Sequence, residues 1–174
     1  MRKPYIIFDR DGTLIKHVHH LSKLEQVIIF DDVPAALQEF QSYGFSFGII
    51  TNQSVIGRGL ATSNQVSEIN SFISSQLLPH DIHFDFMLVC PHVPEDGCRC
   101  RKPQPELGEL AIAAFQIDMK ESFVIGDQVS DLDFARNLGL KSFLVRNEQV
   151  ASTNPHKFFP DLLELSKYMR KGQC

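Results

Sequence analysis

The sequence lacks the features that mark two large classes of protein. No run of apolar residues approaches the roughly 18 that a membrane-spanning helix requires. The Lys and Arg residues form no stripe that could neutralise the phosphates of a nucleic acid. With 17 basic and 21 acidic side chains, the chain carries a net charge of −4. We therefore expect it to bind neither a membrane nor a nucleic acid.

Signals for export are also missing. The first residues, Met-Arg-Lys-Pro-Tyr, lead directly into a short apolar segment rather than into a leader with a cleavage site, so we expect a cytoplasmic protein. The 174 residues, 43% of them hydrophobic, have the size and composition of a single globular domain spanning 1–174. A monomer is the default expectation.

Cysteine is scarce but clustered. Of the four cysteines, Cys90, Cys98 and Cys100 lie within eleven residues, whereas Cys174 has no partner nearby and no expected role. Clustered cysteines in a reducing compartment indicate metal binding rather than disulfides. Together with His92 they complete a tetrahedral zinc set without an open position, which is typical of structural zinc. Reduced cysteines in an ordinary surface loop are the alternative.

The segment 90–103, here termed the cysteine loop, also contains Lys102. The loop is polar and could not bury enough apolar surface to stay ordered by itself. Zinc would order it, and Lys102 lies only two residues beyond Cys100. We therefore expect the metal to position this lysine.

Apolar runs alternate with amphipathic stripes along the chain. They predict strands over 4–8, 45–50, 84–89, 122–125 and 141–145, and helices over 33–43, 62–78, 106–114, 130–138 and 161–170. This order predicts an α/β fold with a doubly wound, mainly parallel sheet flanked by helices. Functional loops should then lie at the carboxyl ends of the strands.

Four polar clusters follow predicted strands and should converge on one edge of the sheet. They are Asp9-Arg10-Asp11-Gly12-Thr13, Thr51-Asn52-Gln53-Ser54, Arg101-Lys102-Pro103, and Gly126-Asp127 with Asp131. Three acids in one crevice repel each other unless a cation lies between them, and carboxylate oxygens suit Mg²⁺. A lysine with hydroxyl and amide groups alongside suits a phosphoryl group. The combination carries this interpretation, because an isolated Asp-X-Asp-Gly is more often only a turn.

Two other classes of protein use similar features. A phosphate-sensing receiver module also has an acidic Mg²⁺ cluster, but its phosphorylated aspartate follows a mid-chain strand, whereas Asp9 follows the first. A zinc-dependent interaction domain would devote more of its chain to the metal than the cysteine loop does. Both classes are therefore disfavoured.

The four clusters together resemble the motifs of the haloacid-dehalogenase-like (HAD-like) phosphatases over nearly the whole chain. Asp9-X-Asp11-Gly-Thr is similar to the first motif, Thr51 to the second, Lys102 to the third, and Gly126-Asp127-X-X-X-Asp131 to the fourth. The short insertions after the first two motifs leave no room for a large cap domain.

The resemblance implies an aspartyl-phosphate mechanism. Asp9 would be the nucleophile and Asp11 the general acid and base, while Thr51 and Lys102 would hold the phosphoryl oxygens. Mg²⁺ would be bound by the Asp9 carboxylate, the Asp11 backbone carbonyl and the Asp127 carboxylate. Asp131 would not bind the ion directly but would stabilise these ligands or cap the following helix.

The Cys-X-His and Cys-X-Cys-Arg-Lys-Pro segments resemble one zinc-containing branch, the D,D-heptose 1,7-bisphosphate phosphatases and the histidinol-phosphate phosphatases. The stretch 54–59 is closer to the heptose enzymes, which makes D-glycero-D-manno-heptose 1,7-bisphosphate, cleaved at position 7, the expected substrate. The six-residue spacing from His92 to Cys98 is closer to the histidinol enzymes, which keeps histidinol phosphate as the alternative. By the same resemblance, the substrate contacts would be Asn52, Gln53, Ser54 and Arg101.

The sequence departs from the heptose enzymes at two places. His17-Val18-His19-His20 replaces an Asp-His-Gly-Tyr-like segment that contacts the sugar, and Gln128 replaces a residue that is often basic. Both departures concern substrate recognition rather than phosphoryl transfer. The three histidines could bind substrate or a second metal, but a solvated loop is favoured.

Overall fold

Six short parallel strands form the centre of the computed structural model, which describes residues 2–153 and 157–170. Their order across the sheet is β3-β2-β1-β4-β5-β6. The strands are β1 (Tyr5–Phe8), β2 (Ser46–Asn52), β3 (Phe86–Cys90), β4 (Phe123–Gly126), β5 (Lys141–Val145) and β6 (Phe158–Phe159).

Helices cover both faces of this sheet. They are α1 (Val33–Ser42), α2 (Ser54–Gly57), α3 (Ser63–Leu77), α4 (Glu106–Phe115), α5 (Val129–Leu138), α6 (Glu148–Thr153) and α7 (Leu162–Arg170). Helix α3 begins at a capping box, in which the backbone N–H of Gln65 donates to the Thr62 hydroxyl and the Thr62 N–H donates to the Gln65 side chain. Gly139 ends α5 with a φ of +73°, a conformation that glycine adopts without strain.

Side chains of the strands alternate between two cores. Ile6 and Phe8 of β1 pack with the apolar faces of α1, α3 and α7, whereas Tyr5 and Ile7 pack with α4 and α5. Every residue of β1 is therefore buried, which explains why it appears in the sequence as a continuous apolar run.

The strand order places the first and fourth strands side by side. The chain runs from β1 outward to β3, then returns to β4 next to β1 and continues to β6. Ligands of doubly wound sheets bind where the strand order reverses, beyond the carboxyl ends of the strands. Asp9 follows β1 and Asp127 follows β4, so both residues lie at this point.

The predicted fold class is confirmed: the sheet is parallel throughout, and the described residues include no large cap between β1 and α1 or between β2 and α3. The prediction missed β6, α2 and α6, because elements this short show little periodicity. No helix within 2–153 or 157–170 is long and apolar enough to cross a membrane. Cys174 lies outside the described residues.

Gly48 lets an aromatic ring lie directly on the sheet. A Cβ atom at this position would come within 2.0 Å of the Phe86 ring. That ring packs between Tyr5 and Phe115, with centroid distances of 5.9 and 4.7 Å. The side chain of Phe86 therefore has little freedom to move away from a larger residue at position 48.

Gly48→Ala should lower the free energy of unfolding by about 1–3 kcal/mol, because the added methyl group overlaps the Phe86 ring. Urea denaturation measures this loss. Phe86→Leu removes the ring, so the double variant should lose less stability than the two single variants together. Fully additive losses would contradict the proposed overlap.

Candidate active site

Three carboxylates meet at the carboxyl ends of β1 and β4. Asp9 follows β1, Asp127 follows β4, and Asp131 lies in the first turn of α5. One oxygen from each lies within 4.8 Å of the others, and all three residues are buried. These three residues are termed the acidic cluster below.

Lys102 neutralises part of the charge of the acidic cluster. Its Nζ atom lies 2.6 Å from an Asp9 oxygen and 2.7 Å from an Asp131 oxygen. Burial lowers the pKa of Lys102, but the carboxylates of Asp131 and Asp9 outweigh that effect and hold it above its ordinary value. The lysine is therefore a fixed positive charge beside the acids.

The crowding of these carboxyl groups suits a divalent cation, which would stabilise their charged forms. Burial raises the pKa of Asp9 to about 8, with Asp131 and Asp11 adding to the rise against the opposing charge of Lys102. Burial and the charge of Asp131 likewise raise the pKa of Asp127 to about 6. Among the described residues, the buried Oδ1 atom of Asp127 has no hydrogen-bond partner. Carboxylate oxygens are the ligands that Mg²⁺ prefers, and this unpaired oxygen is available to bind the ion.

Two glycines allow the carboxylates to approach the backbone closely. A Cβ atom at Gly126 would come within 2.3 Å of the Asp131 carboxyl group. At Gly12, which has a φ of +84°, a Cβ atom would lie 2.4 Å from an Asp127 oxygen. The Gly residues of the first and fourth motifs therefore make room for the acidic cluster.

The side chain of Asp11 lies outside the acidic cluster. Its Oδ2 atom accepts a hydrogen bond from Arg10 Nε at 3.0 Å and another from Gln53 Nε2 at 2.7 Å. Arg10 and Gln53 therefore hold this carboxyl group apart from the potential metal ligands of the acidic cluster. A metal contact through the Asp11 backbone carbonyl, as the resemblance implies, stays a prediction.

Consecutive residues at the end of β2 have different partners. Gln53 is buried and donates to the Thr51 hydroxyl at 2.8 Å as well as to Asp11. The Asn52 side chain instead forms two hydrogen bonds with the backbone of Lys102, 3.0 Å from its N–H and 3.1 Å from its C=O. The two amides predicted to contact substrate thus hold Asp11 and Lys102 in place. Ser54 is half-buried at the start of α2.

Four potential metal ligands converge in the cysteine loop. One sulfur or nitrogen atom from each lies within 4.8 Å of the others, and the residues are Cys90, His92, Cys98 and Cys100. The Sγ of Cys100 lies 3.2 Å from the Sγ of Cys90, 3.5 Å from that of Cys98 and 3.2 Å from His92 Nδ1. Cys90 Sγ lies 3.7 Å from both Cys98 Sγ and His92 Nδ1. Zinc–sulfur bonds of about 2.3 Å give tetrahedral edges of about 3.8 Å, so the four groups fit a zinc ion.

Backbone hydrogen bonds join the cysteine loop to the second motif. The Gln53 N–H donates to the Cys90 carbonyl at 2.8 Å, and the Gly57 N–H donates to the Pro91 carbonyl at 2.9 Å. Within the loop, Arg101 donates to the His92 carbonyl at 3.2 Å. The loop that carries Lys102 is therefore fastened to β2 beside the site.

Two adjoining cavities lead to the acids. The inner cavity, of about 350 Å³, is lined by Asp9, Thr51, Arg101, Lys102 and Gln128, among others. The outer cavity, of about 460 Å³, shares three lining residues with it: Asp11, His17 and Asn52.

The outer cavity is bordered by basic side chains. His19, His20 and Arg58 are exposed along its wall, with His17 at its boundary to the inner cavity. In the part of the chain that the structure describes, the histidines belong to no group of three or more potential metal ligands. The structure therefore lends no support to a second metal there.

Sequence reasoning missed two residues that support the site. Arg10, although part of the first motif, is fully buried and donates to Asp11 and to Asn70. Asn70 interrupts the apolar stripe formed by Val66, Ile69 and Ile73 on α3. A polar residue within a buried stripe is the signal that could have identified it.

Comparisons with known proteins identify relatives of this chain. A family model described as HAD-hydrolase-like matches residues 99–165. A Thermoplasma volcanium protein named "Probable D-glycero-D-manno-heptose-1,7-bisphosphate 7-phosphatase" is 36% identical over 82% of this chain and 98% of its own length. The histidine biosynthesis bifunctional protein HisB of Blochmanniella floridana is 34% identical over 81% of this chain, but only 40% of its own length is matched.

The fold is also found among solved structures. The D,D-heptose 1,7-bisphosphate phosphatase of B. bronchiseptica, crystallised with magnesium and phosphate, superposes with a TM-score of 0.90. The match covers 97% of this chain and 99% of that one, at 23% sequence identity. Sequence similarity over most of the chain, together with the shared fold, leads to one conclusion. The chain belongs to the HAD-like phosphatase family.

Proposed function

We propose that the protein is a Mg²⁺-dependent phosphomonoesterase that acts through an aspartyl-phosphate intermediate. The observation that carries the proposal is the convergence of the acidic cluster and Lys102 at the carboxyl ends of β1 and β4. Asp9, Asp127 and the backbone carbonyl of Asp11 would hold Mg²⁺. When bound, the ion would screen the carboxylates from the anionic substrate and stabilise charge on the phosphoryl oxygens.

In the first step, an Asp9 oxygen attacks phosphorus and the bond from phosphorus to the leaving oxygen breaks. Asp11 donates its proton to that oxygen, so the alcohol departs neutral. Lys102 and the Thr51 hydroxyl stabilise the phosphoryl oxygens. Gln53 donates to Thr51, which leaves the Thr51 proton available for the phosphoryl group.

In the second step, water attacks the aspartyl phosphate. Asp11, now a carboxylate, takes a proton from this water, and inorganic phosphate leaves while the Asp9 carboxylate is regenerated. Because Asp11 lies outside the acidic cluster, the same group can serve in both steps.

Zinc bound by Cys90, His92, Cys98 and Cys100 would be structural, because four protein ligands leave no open position. Burial and the neighbouring thiols raise the pKa of Cys100 to about 12, so binding of the cation would have to displace its proton. The function of zinc would be to hold the loop from which Lys102 enters the site.

The substrate proposed is D-glycero-D-manno-heptose 1,7-bisphosphate, cleaved at position 7. Two features support it: the name of the Thermoplasma relative, and the basic side chains of the outer cavity. Arg58 would suit the second phosphate of a bisphosphate, whereas Asn52 and Gln53 are already engaged. Arg101 and Ser54 remain proposed substrate contacts. A cytoplasmic location and a monomeric state stay predictions.

Histidinol phosphate is the second candidate substrate. The match to a histidine biosynthesis protein and the short His92–Cys98 spacing favour it. It carries an amine where the bisphosphate carries a second anion, so basic groups in the outer cavity weigh against it.

Asp9→Asn should reduce Mg²⁺-dependent phosphate release from p-nitrophenyl phosphate to near the uncatalysed background, because the amide cannot form the acyl phosphate. Phosphate release at saturating Mg²⁺ measures the loss. Asp31→Asn, an exposed change of the same kind, should retain full activity. Turnover by Asp9→Asn would rule out this residue as the nucleophile.

Metal analysis should find about one zinc per chain, and Cys98→Ser should lose that zinc together with most of the phosphatase activity, because the loop no longer fixes Lys102. Cys174→Ser is the matched control and should keep both. A zinc-free preparation with full activity would disprove the link between the metal and Lys102.

A comparison of kcat/KM should favour D-glycero-D-manno-heptose 1,7-bisphosphate over histidinol phosphate. Arg58→Ala should reduce kcat/KM for the bisphosphate at least about tenfold, because a charged hydrogen bond to phosphate is lost, and leave p-nitrophenyl phosphate unaffected. A higher kcat/KM for histidinol phosphate would overturn the substrate assignment.

A further inference from the structure

Arg10 is a positive charge with no exposure to solvent. A buried guanidinium is tolerated only where hydrogen-bond acceptors satisfy it. Its Nε and Nη2 atoms donate to both oxygens of Asp11, at 3.0 and 3.2 Å, and its Nη1 atom donates to Asn70 Oδ1 at 2.8 Å. Arg10 therefore connects Asp11 to helix α3.

The carboxyl group of Asp11 is held from two sides. Arg10 donates hydrogen bonds to it from two nitrogens, and Gln53 donates to its Oδ2 atom at 2.7 Å. The planar fork of a guanidinium fixes the plane of the carboxylate as well as its position. Both the direction and the location of the proton donor thus depend on where Arg10 is held.

Asn70 provides that anchor. It is 7% exposed on α3, among the buried residues of the helix, and it lines neither the inner nor the outer cavity. A buried amide needs hydrogen-bond partners. Its oxygen is the acceptor that fixes the far side of the Arg10 guanidinium.

We infer that Asn70 is a positioning residue for proton transfer: through Arg10 it orients the carboxyl group of Asp11 toward the leaving oxygen. The inference rests on the proposed function, in which Asp11 protonates that oxygen. Asn70 does not itself touch the substrate.

The leaving group distinguishes this role from a merely structural one. A sugar alkoxide is a strong base and cannot depart without a proton, whereas p-nitrophenolate is a weak base and departs without one. The ratio kcat/KM includes only the steps up to phosphoryl transfer, so it does not report the later use of Asp11 as a base. A misplaced Asp11 should therefore lower kcat/KM for the sugar phosphate and leave kcat/KM for the aryl phosphate nearly unchanged.

The experiment measures kcat/KM of Asn70→Leu with p-nitrophenyl phosphate and with whichever of the two candidate metabolites the protein hydrolyses. We expect a fall of at least about tenfold for the metabolite and less than about threefold for the aryl ester, since general acid catalysis contributes roughly 10²–10⁴-fold. Asp11→Asn should show the same pattern in stronger form.

Three further variants complete the test. Asn64→Leu makes the same change at an exposed position of α3 and should alter neither value. Asn70→Asp keeps an acceptor oxygen for Arg10. The ratio of its kcat/KM values for the metabolite and the aryl ester should therefore match that of the unmodified protein. Asn70→Ala replaces Asn70→Leu if the larger side chain prevents folding.

Two results would overturn different claims. Equal losses for both substrates in Asn70→Leu, or in Asn70→Ala where Leu prevents folding, would refute positioning by Asn70 and leave the proposed function intact. If Asp11→Asn loses the same fraction of kcat/KM with both substrates, Asp11 is not the general acid and that part of the proposed function is wrong.

Discussion

The contact of one buried ammonium group with two buried carboxylates is the interaction on which the site depends. Lys102 lies 2.6 Å from Asp9 and 2.7 Å from Asp131, and all three residues are almost fully removed from water. Removal of charges from water costs several kcal/mol per ion unless each one is paired. The lysine therefore makes it possible to bury the acids, and the acids in turn keep the lysine charged.

This contact requires a lysine from a loop distant in sequence from either acid. Lys102 is not on a strand or helix, so neither core fixes its position. Two separate attachments do so instead: the paired hydrogen bonds from Asn52 to the Lys102 backbone, and the converging ligands of the cysteine loop. The backbone bond from Gln53 to Cys90 joins both attachments to the end of β2. A loop held at several points can deliver a charged group with the accuracy that phosphoryl transfer needs.

The fold and the principal acids could be predicted because they depend on regularities within the chain. Buried strands appear as apolar runs, and Asp9 and Asp127 directly follow such runs, so their meeting at the sheet edge follows from parallel topology. The partners of Asn52 and Asn70 could not be predicted, because each bonds a group that lies 50 or 60 residues away. Such pairs are determined by how helices and loops pack, which no local pattern encodes.

The end of β2 shows why a motif's residues need not share one function. Side chains of an extended segment alternate in direction, so Thr51 and Gln53 point to one side and Asn52 to the other. Gln53 therefore reaches Asp11 and Thr51, whereas Asn52 reaches the backbone of Lys102. One segment thus aligns the proton donor with the hydroxyl and, on its other side, fixes the lysine. A shift of this strand by one residue would exchange the two sides and separate both groups from their partners.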